Sequence, residues 1–316
     1  MSVGGVLVTG GAGFIGSHLV DALVGRGHPV HVLDNLSVGK RENVHPKAKL
    51  FEGDILDVSL LDKALEGVES VFHLAARVAI RDSSNHFFED ARTNLMGTLQ
   101  LLNRSGIKGI KKFIFASSMA VYADKDRPEP IPETHITEPL SPYGIAKLAA
   151  EKYTLLLSSL FGMQGICLRY FNVYGPRQSY TPYVGVITIF IRGLQRGEPP
   201  MIFGDGKQCR DFIHVEDVTE ANVLALQSDL GGEILNVGTG KGTTVEQIAR
   251  LLIQILHPDM EPVHQIRHTG ELRNSIADIT KIRRLLGFSP RRSLTERIGE
   301  IIEWNLRLSK THHTQE

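Results

Sequence analysis

Cysteine is nearly absent from this 316-residue chain, with Cys167 and Cys209 its whole complement. Two thiols cannot build a disulfide framework, and no zinc-type Cys/His spacing accompanies them. No metal is expected, and a reducing, cytoplasmic setting is. An excess of one charge is lacking too: 35 basic residues meet 35 acidic ones, leaving no electrostatic case for a nucleic-acid partner. No apolar run approaches the ~20 residues of a membrane-spanning helix. The first residues lead straight into a strand-like segment without a basic leader and apolar stretch, so neither export nor a membrane partner is expected. Internal repeats and low-complexity tracts are missing as well. A chain of this length buries a large core and ordinarily divides into two domains, or one domain with a sizeable appendage.

What the chain does have is alternation. Short apolar segments at Val6–Thr9, Val30–Asp34, Leu50–Asp54, Ser70–Ala75, Lys112–Ser117 and Gly165–Arg169 are separated by helix-like stretches, which predicts a parallel, doubly wound α/β sheet. Asn94–Asn103 and Ile145–Phe161 carry apolar residues at helical spacing. They read as helices covering the sheet, with apolar surface left over for a homodimer interface. After Arg169 proline and glycine cluster around a short helix candidate, Val186–Arg196, and a second region begins. Ile234–Val237 reads as a strand returning to the sheet. Val263–Arg267 and the helical stretches Thr244–Leu256 and Leu294–Leu306 belong to a smaller lobe. The expected division is 1–172, joined again by 213–240, against 173–212 with 241–316.

The run Gly10-Gly11-Ala12-Gly13-Phe14-Ile15-Gly16 lies between the first strand and a helix-like stretch, Ser17–Arg26. Glycines there let the backbone turn sharply, approach a pyrophosphate and start a helix against the strand. Asp34 ends the next strand about 20 residues on, where an acidic side chain binds the adenosine ribose hydroxyls. Its charge would repel a 2′-phosphate. The cofactor expected is therefore NAD rather than NADP.

Tyr143 and Lys147 stand one helical turn apart on one face. An ammonium beside the phenol, with a positive nicotinamide near, is expected to lower the tyrosine pKa so that it takes a proton from an alcohol. The strand ending Phe113-Ile114-Phe115-Ala116 delivers Ser117 and Ser118 to the carboxyl edge, where ligands bind in such sheets. Ser118, Tyr143 and Lys147 make an alcohol-oxidising set.

With these residues in place the chain resembles the extended short-chain dehydrogenases/reductases, and among them the NAD-dependent epimerase/dehydratase family that acts on nucleotide sugars. The resemblance covers nearly the whole sequence. It is carried by the Thr9–Gly16 run, Asp34-Asn35-Leu36-Ser37, Gly53-Asp54-Ile55, His73-Leu74-Ala75-Ala76, Asn94-Leu95-Met96-Gly97-Thr98, Tyr143-Gly144-Ile145-Ala146-Lys147 and Arg169–Pro176. It implies a Rossmann-type sheet with a smaller α/β substrate-binding lobe toward the C-terminus. By the same resemblance Gly10, Gly13, Phe14, Ile15, Gly16, Asp34, Asn35 and Ser37 hold the dinucleotide, together with Tyr143 and Lys147. Asp54 and Ile55 would flank the adenine, and Leu74, Ala75 and Ala76 would line the cofactor. Asn94 would brace the site, and Phe171 would pack near the nicotinamide.

The reaction is read from Ser118-Met119-Ala120-Val121-Tyr122. Dehydratases of the family place an Asp-Glu pair where Met119 and Ala120 stand, and decarboxylating members usually place Glu at Ala120. Neither residue here moves a proton, so the resemblance implies epimerisation at carbon 4 of a UDP-hexose. For the substrate it nominates Asn172, Val186 and Arg210, besides Ser118 and Tyr143. The family's Arg and Asp are replaced by His268 and Glu271, so the phosphate contact would pass to Arg273 and the ribose contact to Glu271. Ser275 stands where a small residue admits an N-acetyl group, which extends the expected range from UDP-glucose to UDP-N-acetylglucosamine. Arg81 and Arg177 keep a UDP-glucuronate alternative open, as possible partners of its carboxylate. The other readings are a dehydratase or reductase of the same family and a non-catalytic NAD-binding sensor.

Overall fold

Gly5–Thr9 is apolar on both faces, the pattern of a strand buried between two helical layers. It lies inside a seven-stranded sheet ordered Glu233–Val237, Gln164–Tyr170, Lys112–Ser118, Val68–His73, Gly5–Thr9, Val30–Asp34, Lys49–Glu52. All neighbours run parallel. The computed structural model describes residues 4–78, 84–178, 185–266 and 272–312, with side chains to residue 307.

The pleat sends alternate residues to two separate cores. Val6 and Val8 join Leu19, Val20 and Leu23 of helix Phe14–Gly25 and Val218 and Ala221 of helix Val215–Gln227. Leu7 joins Leu101 and Leu102 of helix Thr98–Ile107 and Ala150 of helix Pro142–Leu160. Chain order reverses between Gly5–Thr9 and Val68–His73, which opens a ligand crevice at the carboxyl ends of the strands.

A second sheet follows the order Gly242–Thr244, Cys209–His214, Asn274–Ala277, Pro130–Ile131, with Asn172–Tyr174 also pairing with Cys209–His214. A third core lies beside it, where Phe190 and Ile191 of helix Val186–Gln195 meet Ile248 and Leu252 of helix Val245–Leu256 and Ile298 and Ile301 of helix Leu294–His312. Val263–Gln265 pairs with Met201–Phe203 as a separate two-stranded sheet.

Some boundaries move for local reasons. The first helix starts at Phe14, inside the glycine run, because Gly13 already has extended backbone and caps it. The helix carrying Tyr143 and Lys147 starts at Pro142: proline suits the first helical position, and the Ser141 hydroxyl accepts the Gly144 amide at 3.1 Å. Asn94 falls in a π-helical turn, Arg92–Gly97, before the regular helix begins at Thr98.

Candidate active site

The dinucleotide cradle is built by exclusion. Gly10 has φ +71°, and a Cβ there would stand 2.8 Å from the Ala75 nitrogen. At Gly16 a Cβ would stand 2.1 Å from the Gly10 carbonyl oxygen, so both positions are closed to side chains. Helix Phe14–Gly25 has no side-chain cap and no acidic residue in its first turn, which leaves its leading amides for an anion. Phe14 packs edge-on to His18, and Ile15 lies against the core.

Asp34 is aimed at this loop. One carboxylate oxygen accepts the Ala12 amide at 3.0 Å and the other the Leu36 amide at 2.9 Å, each keeping capacity for a ribose hydroxyl. Asn35 and Ser37 bond each other, the Asn35 carbonyl accepting the Ser37 amide and hydroxyl at 3.1 and 2.7 Å, which folds the turn after Asp34. Asp54 accepts the Leu56 amide at 2.9 Å, and Ile55 is buried against Gly97. Leu74 and Ala75 are drawn to the first strand, their amides reaching the Thr9 carbonyl at 3.1 Å and hydroxyl at 3.3 Å. Ala76 is half-buried beside them. The closed glycines, free helix amides and fixed carboxylate fit NAD, and a 2′-phosphate at Asp34 would meet like charge.

Ser118, Tyr143 and Lys147 come together at the strand ends. The pleat separates the two serines. Ser117 Oγ donates to Glu151 at 2.5 Å within the interior, whereas Ser118 Oγ accepts the Ala120 amide at 3.1 Å and hydrogen-bonds the Tyr143 phenol. Lys147 Nζ donates to the Ala116 carbonyl at 2.8 Å and lies 4.7 Å from the Phe115 ring centroid and 5.9 Å from that of Tyr143. Burial brings its pKa down to about 8, opposed by Asp90 and Glu151. Gly144 lets the helix close on the segment after Ser118, since a Cβ there would stand 2.4 Å from the Ala120 carbonyl oxygen.

The expected lowering of the Tyr143 pKa is not what the protein's own groups produce. Burial pushes the phenol up to about 12; the Ser118 bond opposes this and the Asp90 charge adds to it. Desolvation outweighs the Ser118 bond, and a positive charge bound beside the phenol would act in the opposite direction. Phe171, expected near the nicotinamide, follows strand Gln164–Tyr170; it is buried in the main core, 6.5 Å from the Tyr122 ring centroid, and its amide bonds the Val237 carbonyl.

Sequence reasoning named His73 and Asn94 in their motifs but passed over the buried polar partners that surround them. His73 Nε2 bonds Thr98 Oγ1 at 2.8 Å, Thr98 donates to the Asn94 carbonyl at 2.7 Å, and His73 Nδ1 bonds Thr9 Oγ1 at 2.8 Å. Asn94 in turn clasps Arg77, accepting its amide at 2.9 Å and donating to its carbonyl at 3.0 Å, and donates to Asp90 at 3.0 Å. It braces the loop past Ala76 rather than reaching into the crevice. Glu151 and Arg169 form a buried ion pair at 2.7 Å. The helical spacing of Tyr143, Lys147 and Glu151 was a usable signal for that carboxylate.

On the second sheet Asn172, Arg210, Arg273 and Ser275 are neighbours. Arg210 lies in register with Ser275, the Asn172 amide donates to Ser275 Oγ at 3.4 Å, and Arg210 donates to the Arg273 carbonyl at 3.0 Å. Ser275 is fully buried. Arg273 pairs with Asp205 at 2.8 Å, and its amide donates to Asp124 at 2.6 Å. Val186 opens helix Val186–Gln195. Arg177 is paired with Asp21 of the first helix at 2.8 Å. Arg81, His268 and Glu271 lie outside the described residues. Among the described residues no group of three or more His, Cys, Asp or Glu could hold a metal ion.

Fold and site together define an NAD-dependent α/β enzyme of the Rossmann type. The chain belongs to the NAD dependent epimerase/dehydratase family, whose model matches residues 6–238. It is similar to the structure of a UDP-glucose 4-epimerase with UDP-glucose from Thermotoga maritima, at 43% identity and TM-score 0.92, covering 96% of this chain and 99% of that one. A UDP-N-acetylglucosamine 4-epimerase from Methanobrevibacter ruminantium M1, in complex with UDP-N-acetylmuramic acid, matches at 36% identity and TM-score 0.91, over 98% of this chain and 100% of that one. A UDP-glucuronic acid 4-epimerase from Bacillus cereus, with UDP-glucuronic acid and NAD, matches at 32% identity and TM-score 0.88, over 96% and 99%.

Proposed function

We propose that this chain is an NAD-dependent UDP-hexose 4-epimerase. The observation that carries the reading is the buried Ser118–Tyr143–Lys147 group with Met119 and Ala120 beside it: one proton-moving phenol, and no carboxylate on the following segment to expel water. When bound, NAD supplies the hydride acceptor at carbon 4. Tyr143 Oη takes the 4-hydroxyl proton and returns it to the carbonyl oxygen, the inversion coming from return of the hydride to the opposite face of carbon 4, while Ser118 Oγ holds the reacting oxygen. Lys147 keeps a positive charge beneath the phenol. Asn172, Arg210 and Arg273 are assigned to the nucleotide diphosphate, which stays fixed while the sugar turns. Arg210 and Arg273 belong to a substrate lobe assigned to 173–212 and 241–316, and Asn172 is the last residue of the first part of the NAD domain, assigned to 1–172 and 213–240.

The small Ser275 supports a range that includes UDP-N-acetylglucosamine beside UDP-glucose. Exposed Ile145, Tyr153, Leu156 and Leu160 on helix Pro142–Leu160, with Met96 nearby, support a homodimer. Two buried free cysteines support a reducing, cytoplasmic setting, and no described helix is long and apolar enough to cross a membrane.

Incubating the protein separately with UDP-glucose, UDP-N-acetylglucosamine and UDP-glucuronate, and following each by proton NMR, tests the reading. An equilibrium mixture of 4-epimers is expected; a 4-keto-6-deoxy product would replace it with a dehydratase. Tyr143→Phe is expected to cut turnover about 10²–10⁴-fold while leaving NAD binding in place, measured by steady-state rates and cofactor titration.

A further inference from the structure

We propose that Asp90 is a positioning residue of this reaction, a buried carboxylate that sets the charge balance between Tyr143 and Lys147. The inference rests on the epimerase reading. Asp90 lies on the short helix Phe87–Ala91, which packs against the catalytic helix Pro142–Leu160. It is 2% exposed. Its Oδ1 accepts the Asn94 amide at 3.0 Å, and its Oδ2 has no hydrogen-bond partner among the described residues. A buried carboxylate with one oxygen unbonded is costly to retain and needs a countercharge.

Burial raises the Asp90 carboxyl, while the Asn94 bond and two facing cations, Lys147 on the packed helix and Arg77 beyond Ala76, act the other way and favour the anion. Lys147 has the complementary need. Its only hydrogen bond among the described residues goes to the neutral Ala116 carbonyl, and it is buried. The other charged or titratable groups facing it are Glu151 on its own helix, Cys167 on strand Gln164–Tyr170 and His73 on strand Val68–His73. Glu151 is already bound to Arg169 through both oxygens, at 2.8 and 2.7 Å. Burial raises the Cys167 thiol and depresses His73, which leaves both neutral. Asp90 is therefore the anion available to the Lys147 ammonium. Its field also reaches Tyr143, where it favours the protonated phenol.

An epimerase has reason to keep such a group. Tyr143 must accept a proton and then return it within one turnover. A phenolate faced by Lys147 and the nicotinamide charge alone would hold that proton too weakly on the return step. Asp90 opposes those cations and keeps Lys147 charged, so one carboxylate adjusts both partners in the same direction.

The test compares wild type with Asp90→Asn, which keeps an acceptor for Asn94 and removes the charge. In NAD-loaded protein the Tyr143 tyrosinate is titrated by ultraviolet difference absorbance against Tyr143→Phe, and the pH profile of kcat/KM is recorded. Removing the anion lowers both proton affinities. The tyrosinate midpoint and both limbs of the profile are expected to move to lower pH by about one unit, and Asp90→Glu is expected to return them toward wild type. A lower rate with midpoint and limbs unmoved would overturn the proposal and leave Asp90 as a prop for Asn94. Should Asp90→Asn not fold, Asp90→Ser is read in the same way. Failure of the epimerase reading is separate: wild type would interconvert none of the sugars, while the tyrosinate midpoints would still report on Asp90.

Discussion

His73 shows how a single residue can be fixed in charge and orientation by its neighbours. Thr98 donates its proton to the Asn94 carbonyl, so it receives the His73 Nε2 proton, and Nδ1 is left to accept from Thr9. Burial, with the Lys147 charge adding, takes the ring pKa down to about 3. An unfolded histidine titrates near ~6.5. Between those values the unfolded chain binds the proton and the folded chain does not, so stability falls as pH drops from about 6.5 toward 3. His18 and His214 are also depressed by burial and contribute in the same direction. Replacing His73 with Gln is expected to flatten the loss between pH 7 and pH 5, measured as the difference in urea midpoints; an equal loss in both proteins would contradict this. The imidazole was visible in the sequence as the first residue of His73-Leu74-Ala75-Ala76, but its partners were not. Thr9 and Thr98 reach it from segments 64 and 25 residues away. The same applies to Asp90, Glu151 and Arg169, whose charges are settled by contacts between elements. Gly10, Gly16 and Asp34 were legible because their chemistry depends on a short stretch of backbone.

At the scale of elements, helix starts and strand ends place the functional groups. Gly16→Ala would push a Cβ into the Gly10 carbonyl at the point where helix Phe14–Gly25 approaches the strand. The helix must shift to relieve it. A loss of about 1–3 kcal/mol of stability is expected, with NAD affinity reduced more than tenfold by isothermal titration. Retained affinity would show that the helix start is not the phosphate site. Helix Val245–Leu256 has a complete capping box, the Thr244 hydroxyl accepting the Gln247 amide at 3.1 Å and the Gln247 side chain accepting the Thr244 amide at 2.8 Å. Thr244→Ala is expected to cost about 1 kcal/mol in thermal unfolding without altering turnover, because the helix lies away from the proton-moving groups. Periodicity found this helix and the catalytic one because their apolar faces repeat locally. The π-turn at Asn94 has no periodic signature, and its register follows from the hydrogen bonds Asn94 makes to Arg77 and Asp90.

For the molecule as a whole, one carboxylate stitches the second sheet together. Asp211 accepts the amides of Thr239 at 2.8 Å, Gly240 at 2.8 Å and Ala277 at 3.1 Å, and the Thr239 hydroxyl at 2.6 Å. This fixes the strand carrying Arg210 against the turn after Glu233–Val237. The loop after Ser118 is tied to the residue preceding strand Asn274–Ala277 by Asp124, which accepts the Arg273 amide at 2.6 Å. On the outer surface the Ile145, Tyr153, Leu156 and Leu160 stripe faces solvent in the single chain. If it is the proposed dimer contact, Leu156→Glu will convert the protein to a monomer in sedimentation velocity with its fold intact by circular dichroism. An unchanged sedimentation coefficient would remove that face from the assembly.

Neighbouring serines at the end of Lys112–Ser118 divide their labour by orientation alone: Ser117 bonds Glu151 in the interior, and Ser118 meets Tyr143. The two side chains are chemically identical, so only the count of residues along the strand tells the reaction from the core. A single residue deleted upstream would carry Ser118 to the interior place beside Glu151 and bring Met119 to the crevice place, leaving Tyr143 without its hydroxyl partner. Catalytic turnover in this protein is therefore also a gauge of strand alignment, and it would report a one-residue slip that a composition or a circular dichroism spectrum would pass over.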